Sequence, residues 1–544
     1  MSEGLLSALE DYSSRVLTYE DPALQEKARK HIPAERIVSE AQEAITLAEE
    51  LGGQPPAFQD AVAKGLLLWF KHEFFTWVNQ APCWRCGSSA TEYIAQGTPS
   101  DLQSKFGANR VEQYLCPTCK VVTEFPRYND AEKLLETRKG RCGEWANAFT
   151  LCCRAMGLEA RLVLDRTDHV WTEYFSKAEN RWVHLDPCEA AYDQPLLYES
   201  GWGKKLTYNI GFDRYGATDV TRRYTREWGE VLQRRVEIQE EVLGATLTSI
   251  TARRRAGLDP STLSQLKMRD GHEAAELLSS KGESQVELPG RQTGSEEWRT
   301  SRGETGSSFV ERPPGTPFRK VSSEVDHPMS SPGKLLSGGA ARASGENFPS
   351  CETCDKAFDG RSDTKWLDFG GGGVDGSAWL EYSLLKSQGS ARLLSYALVS
   401  AGDAPERDPC DWTFFGLAEE SLGWQAIAEQ TGFVFQERGQ RAHFDVPASP
   451  SSFRRFKLQV TRLRESSAAN SVQLAGLELY VAEKGFETPE ESCVDVKVAF
   501  KKQLAHEFET MVRAGVGMQE AIYGAIEKLS SDFEGKIVID CKDP

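Results

Sequence analysis

Cys83-Trp84-Arg85-Cys86 and Cys116-Pro117-Thr118-Cys119 form two C-x-x-C knuckles with 29 residues between them. No other feature limits the fold so tightly. If the four sulfurs share one ion, two distant stretches must meet within a few ångströms, and the chain between them closes into a small subdomain. Four thiolates leave no open ligand position, so such a site holds structure and does not activate water. The alternatives are two short-range disulfides, which a reducing compartment disfavours, or four loose thiols, which would leave the paired spacing a coincidence. The spacing predicts one structural Zn2+ per chain on Cys83, Cys86, Cys116 and Cys119. Cys351-Glu352-Thr353-Cys354 repeats the spacing without a partner pair and reads as two incidental cysteines.

A cysteine of a different kind stands in Gly140-Arg141-Cys142-Gly143-Glu144-Trp145-Ala146-Asn147. Trp145, Phe149, Cys152 and Met156 recur at helical spacing, and Gly157 stands where a C-terminal cap falls. Cys142 is then at the helix mouth, where unpaired N–H groups and the positive end of the dipole favour thiolate over thiol. Arg138, Lys139 and Arg141 precede it and are expected to act in the same sense. Cys152 and Cys153 fall mid-helix and read as small core residues.

Leu158 to Leu164, His169 to Phe175 and Arg181 to Asp186 read as three strands, the last two joined by the polar loop Ser176 to Asn180. A hairpin centred between Lys177 and Ala178 sets His169 directly opposite Asp186, with Cβ atoms about 5 Å apart. A thiolate, an imidazole that takes and returns a proton, and a carboxylate that orients the imidazole are the parts of nucleophilic acyl chemistry. The predicted catalytic residues are Cys142, His169 and Asp186. His184 is the rival base, but Trp182 and Asp186 share its face, which places it beside the site. The bland alternative is a buried cysteine next to a core histidine.

The knuckles, Pro126-Arg127-Tyr128-Asn129, Glu132 to Arg138, the Cys142 segment, Thr167-Asp168-His169-Val170-Trp171-Thr172-Glu173, Pro195 to Glu199, Gly201 to Leu206 and Leu288 to Ser295 with Glu297-Trp298-Arg299 together resemble the cytoplasmic peptide:N-glycanases of the transglutaminase-like superfamily, over roughly residues 20–305. Carried over position by position, the family's catalytic residues fall on Cys142, His169 and Asp186, and its zinc cysteines on the two knuckles. The resemblance implies cleavage of N-glycans from asparagine through a thioester, leaving aspartate. It further implies unfolded N-glycoproteins with high-mannose glycans as substrates, ubiquitin-shuttle or proteasome-linked factors as partners, and a role in ER-associated degradation. The competing functions are a protein-crosslinking transglutaminase, which passes the same thioester to a lysine, and a catalytically silent glycoprotein-binding scaffold. The Cys142 N–H is one expected oxyanion donor. Trp171, Trp202 and Tyr208 are expected either to stack on sugars or to pack in the core. Animal members carry a separate N-terminal adaptor domain, for which this chain is expected to have no room.

A net charge of −17 without a long basic run argues against nucleic acid as a partner. Met1 to Glu10 lacks the pattern of a secretory signal, and no stretch approaches the about 20 apolar residues of a membrane span. With thirteen cysteines, an odd number, these observations suit a cytoplasmic location. The expected class is α+β: N-terminal helices (1–80) with Ala34 to Gly52 helical and a Leu67, Phe70, Phe74, Trp77 stripe, a four-cysteine zinc subdomain (81–125), and a papain/transglutaminase-like core (126–305). A Gly-, Ser-, Pro- and Arg-rich linker (306–349) is expected next, and an amphipathic helical tail (485–544) at the end. Between them, Asp355 to Gly360, Trp379 to Tyr382 and Asp408 to Trp412, with alternation in Phe453 to Val460, resemble a discoidin (coagulation factor 5/8 C-like) domain, an all-β galactose-binding-like sandwich (350–484). Glycan binding and a structural or protein-docking role are both open for it.

Overall fold

The computed structural model of the 544-residue chain describes residues 2–279, 290–305, 318–323, 333–347, 351–369, 378–418, 423–447 and 451–482, with single positions at 288 and 316. The described residues fall into two compact units, one built mainly before residue 306 and one mainly after it.

The chain opens on helices α1 (Ser2–Arg15), α2 (Pro22–Arg29), α3 (Ala34–Leu51) and α4 (Phe58–Trp69), of which α3 belongs to the first unit only as far as Ala41. Asp21 caps α2 by accepting from the Ala23 N–H, and Pro22 follows at the first helical position, where its missing donor costs nothing. Of the expected helical stripe, Leu67, Phe70 and Phe74 are buried, whereas Trp77 falls beyond the helix on a short strand and is half-buried. After the short strand β1 (Thr76–Trp77) comes an antiparallel sheet of β2 (Glu92–Gly97), β3 (Val111–Leu115) and β4 (Val122–Pro126), in that order, with α5 (Asp101–Lys105) between β2 and β3. The first knuckle precedes β2, and the second forms the turn between β3 and β4, with β3 running straight into Cys116.

α6 (Ala131–Thr137) and β5 (Lys139–Gly140) lead to α7 (Cys142–Ala155). β1 and β5 pair in parallel, Thr76 with Lys139 and Trp77 with Gly140, which holds the approach to Cys142. Gly140 is required here, since a Cβ on it would meet the Glu144 Cβ at 2.3 Å. Trp145, Phe149, Cys152 and Met156 are fully buried, and Gly157 ends the helix at φ +75°. α7 packs on one face of a six-stranded antiparallel sheet made of β6 (Ala160–Asp165), β7 (His169–Ser176), β8 (Arg181–Asp186), β9 (Ala191–Tyr192), β10 (Asn209–Asp213) and β11 (Gly216–Asp219), in the order β11-β10-β6-β7-β8-β9. Val170, Tyr174, Val183 and Leu185 join the core under α7, while Trp171 joins Tyr198, Trp202 and Tyr224 on the other face. α8 (Trp228–Arg234), α9 (Glu240–Arg255), α10 (Pro260–Ser279) and α11 (Glu296–Ser301) complete the unit.

The β7–β8 register differs from the expected one. Ser176 pairs with Arg181 and Thr172 with Leu185, so the turn is the four residues 177–180, with Asn180 at φ +52°. Asparagine tolerates that left-handed conformation better than most residues. Asp186 therefore falls diagonal to His169 instead of opposite it. A shift of two leaves every side chain on its expected face, because strands alternate with period two.

The second unit is a β-sandwich. Its six-stranded antiparallel sheet contains β12 (Arg319–Lys320), β14 (Ala340–Ala343), β16 (Ala378–Ser383), β18 (Pro409–Leu417), β19 (Gln425–Gln430) and β21 (Arg455–Leu463). The four-stranded one contains β13 (Lys334–Leu335), β17 (Leu393–Val399), β20 (Arg441–Asp445) and β23 (Gly476–Val481), and β15 (Trp366–Asp368) pairs with β22 (Val472–Leu474). Leu380, Phe414 and Leu458 of one sheet share a core with Tyr396, Leu398 and Leu479 of the other. Within it the rings of Tyr396 and Phe414 stack at 4.7 Å, and the Trp412 indole N–H donates to Tyr396 Oη at 3.0 Å. β12 to β14 lie inside the stretch expected to be a linker, so that reading is corrected. Ala340, Ala341 and Ala343 are buried, and Arg342 pairs with the buried Glu381 of β16. A composition rich in small residues marks a linker only when no distant strand is there to pair with it. The expected helical tail lies outside the described residues.

Candidate functional site

Cys142 is the first residue of α7, and its position is set by ion pairs buried behind it. Glu144, three residues after the N-cap, accepts from the Arg141 N–H at 3.0 Å and from Nε and Nη2 of Arg127, at 2.5 and 2.8 Å. Arg127 also donates to Glu112 at 3.0 Å, and Arg141 donates to the other Glu112 oxygen at 2.7 Å. Burial alone would raise the Glu112 carboxyl, but Tyr114 and the two arginines hold it below the usual carboxylate range. Glu112 and Tyr114 sit on β3, just before Cys116. The four-cysteine subdomain is thereby bolted to the mouth of the nucleophile helix.

His169 stands at the start of β7 and Asp186 at the end of β8, both side chains fully buried. The His169 Nε2–H donates to Asp186 Oδ2 at 2.7 Å. Nδ1 makes no hydrogen bond and is the nitrogen left to meet the Cys142 thiol, with which the ring interacts. Burial would lower the histidine, yet Asp186 and Cys142 raise it to about 9. Burial would raise the Cys142 thiol, but His169 and Arg291 outweigh it and hold the thiol below its ordinary value. Cys142 and His169 line one cleft of about 340 Å³, whose walls include Tyr12, Arg166 and Asp168. The three residues expected to form the catalytic set are thus brought together.

His184 is disposed of by its partners. Its Nδ1 accepts from the Gln194 N–H at 3.3 Å, and its Nε2 lies 2.7 Å from Tyr198 Oη. Tyr198 in turn donates to Asp186 Oδ2 at 3.0 Å, and the Cys188 N–H donates to Oδ1 at 2.8 Å. The hydrogens can satisfy this network only with His184 neutral and protonated on Nε2. Burial lowers it to about 4. Both nitrogens are occupied, so no proton can be exchanged with the cleft. Trp171, Trp202 and Tyr208 are buried core residues, and the rings of Trp171 and Trp202 lie 5.9 and 5.0 Å from that of His169.

Two of the three cations expected to act on Cys142 from just before the helix are engaged elsewhere. Arg138 bonds His31 Nδ1 at 3.0 Å, and Arg141 is paired with Glu112. Arg291, from far downstream, takes that part. Its only sequence signal is its place in the Leu288 to Ser295 motif.

The sulfurs of Cys83, Cys86, Cys116 and Cys119 lie within 4.8 Å of one another, the one such cluster among the described residues that could hold a metal ion. Cys86 and Cys116 Sγ are 3.8 Å apart, the edge of a tetrahedron whose centre is about 2.3 Å from each sulfur. The donor set fits a tetrahedral thiophilic ion. Among the described residues no helix is long and apolar enough to cross a membrane.

The chain matches the transglutaminase-like superfamily over residues 89–187 and the Rad4 transglutaminase-like domain over 165–277. The second unit is similar to the F5/8 type C domain of a Bacteroides fragilis protein, at 14% identity and a TM-score of 0.24 over 28% of this chain and 97% of that one, a likeness too loose to bear on function. A peptide-N(4)-(N-acetyl-beta-glucosaminyl)asparagine amidase of Oryza sativa subsp. japonica is 51% identical over 54% of this chain and 65% of its own. That of Mus musculus is 46% identical over 56% of this chain, which spans 46% of the mouse protein. The amidase of Arabidopsis thaliana is 34% identical over 86% of this chain and 82% of its own length. That likeness to the plant protein runs along most of both chains, and the chain belongs to the peptide-N(4)-(N-acetyl-beta-glucosaminyl)asparagine amidase family.

Proposed function

We propose that the chain hydrolyses the amide joining an N-glycan to asparagine, with Cys142 as nucleophile, His169 as general acid and base, and Asp186 as the group that orients and charges the imidazole. The observation that carries this reading is the buried His169–Asp186 pair, which leaves one ring nitrogen, Nδ1, for a thiol at a helix N-terminus. The Cys142 thiolate attacks the side-chain carbonyl carbon, and the resulting oxyanion is met by the Cys142 N–H at the helix mouth. His169 gives its Nδ1 proton to the departing glycosylamine nitrogen as the C–N bond breaks, leaving a thioester. Water then loses a proton to the same nitrogen and attacks the thioester. The thiolate departs, and the peptide retains aspartate.

The cysteine cluster is read as a structural Zn2+ site, its four thiolates leaving no position for substrate. It holds β3, and through Glu112 the arginines beside the nucleophile helix. The domain boundaries proposed are 1–80 for the N-terminal helices, 81–125 for the zinc subdomain and 126–305 for the core. Cytoplasmic, unfolded glycoproteins with high-mannose glycans are the proposed substrates, delivered by ubiquitin-shuttle or proteasome-linked factors.

The test is incubation with a heat-denatured N-glycoprotein followed by peptide mass spectrometry. Conversion of asparagine to aspartate at glycan sites, abolished by Cys142→Ala with the fold retained, is the expected result. Covalent dimers without that conversion would assign a transglutaminase, and no change in either would assign a scaffold.

A further inference from the structure

We propose that Arg291 keeps Cys142 in the thiolate form, a positioning role that rests on Cys142 being the nucleophile. The guanidinium is wedged between indoles, its Cζ 4.4 Å from the Trp298 ring and 4.6 Å from that of Trp202, with Trp77 at 5.8 Å. Two of these rings belong to the catalytic scaffold. Trp77 pairs with Gly140, two residues before Cys142, and Trp202 lies 5.0 Å from the His169 ring. The cation is therefore placed between the strand that delivers the thiol and the ring that packs against the imidazole.

The loop that carries it is pinned. Arg291 N–H donates to Glu304 O at 2.9 Å, and Arg291 O accepts from Arg299 at 2.6 Å. The Gln292 and Thr293 N–H groups both donate to Glu189, at 2.8 and 3.1 Å. Nη1 pairs with Glu304 at 2.8 Å, whereas Nη2 is buried and has no hydrogen-bond partner. A buried guanidinium with an open arm is expensive unless a charge elsewhere answers it.

Cys142 supplies that charge. Groups that interact with the thiol include His169 and Asp168 from the β7 end, Tyr12 from α1, Cys188 beyond β8, and Arg291, while Glu144 stands two residues on in α7. Of these, only His169 and Arg291 favour the thiolate, and they do so against burial and Asp168. His169 must surrender its proton in each turnover, so its help is intermittent. Arginine cannot release a proton in this range and stabilises the sulfur throughout, including when the thiolate is expelled from the thioester.

Iodoacetamide alkylation of Cys142 in the full chain, followed against pH by mass spectrometry, tests this without reference to turnover. R291Q/E304Q removes cation and partner together. It is expected to raise the alkylation midpoint by about one pH unit, a tenfold slower reaction on the acid side, with the alkaline plateau unchanged. R291M, which refills the space between the indoles, gives the same readout should the double variant fail to fold. R291K, keeping the charge, is expected to follow the parent. Parent-like titration of a folded R291Q/E304Q or R291M, or a shift in R291K as large as theirs, would overturn the proposal. A parent Cys142 that resists alkylation at every pH would instead overturn the nucleophile assignment, and this role with it.

Discussion

His169 Nε2 and Asp186 Oδ2 are 2.7 Å apart, although the two residues are diagonal and not opposite across the β7–β8 hairpin. The bond locks the imidazole so that Nδ1 is the free nitrogen. Asp186→Asn should leave the fold intact and allow the wrong tautomer. Turnover is expected to fall about 10³- to 10⁴-fold, as when a triad carboxylate becomes an amide, measured as aspartate formed from a glycopeptide.

The ionisation of the same pair sets a pH window. His169 is raised to about 9 and Cys142 is lowered. kcat/KM is therefore expected to rise with pH below the ordinary thiol range and to fall through about pH 9 as the imidazolium is lost. The stability sign agrees. Because the folded histidine is raised, its contribution is complete below the unfolded value of about 6.5 and is lost as pH climbs through about 9. A pH–rate profile without an alkaline limb would contradict this.

His169→Ala should remove that alkaline limb together with nearly all activity. His184→Gln should keep the limb in place, because both His184 nitrogens are already committed to Gln194 and Tyr198. Loss of the limb in the second variant would make His184 the base.

Glu112 ties the cysteine cluster to the nucleophile helix. Glu112→Gln leaves Arg141 and Arg127 under-compensated in a buried place and should cost about 3 kcal/mol of stability, with activity falling as α7 loosens. Chelation should lower the melting temperature and the activity together. A stripped enzyme that stayed folded and fully active would exclude a structural metal. Differential scanning calorimetry beside activity assays reads both outcomes.

Tyr198→Phe removes one donor from Asp186 and leaves His184 Nε2 without its acceptor. A stability loss of about 1–3 kcal/mol is expected. Asp186 keeps Cys188 and His169 as donors, so turnover should fall no more than about tenfold. Thermal melts and glycopeptide kinetics separate the two effects.

Local chemistry was legible along the chain. Cys142 at a helix mouth, the α7 stripe and the paired knuckles follow from spacing, because helix periodicity and metal geometry act over a few residues. The face of each β7 and β8 residue was legible too, since alternation survives a register shift of two, although the register itself depended on where the turn formed. What only the tertiary structure decided are the relations between distant segments. Small alanines before residue 344 became a buried strand because β16 was there to pair with them. The cation that serves Cys142 comes from Arg291, while its sequence neighbour Arg141 is neutralised by Glu112. Charges act through space, and the sequence states which charges exist without stating which of them the fold has already paired.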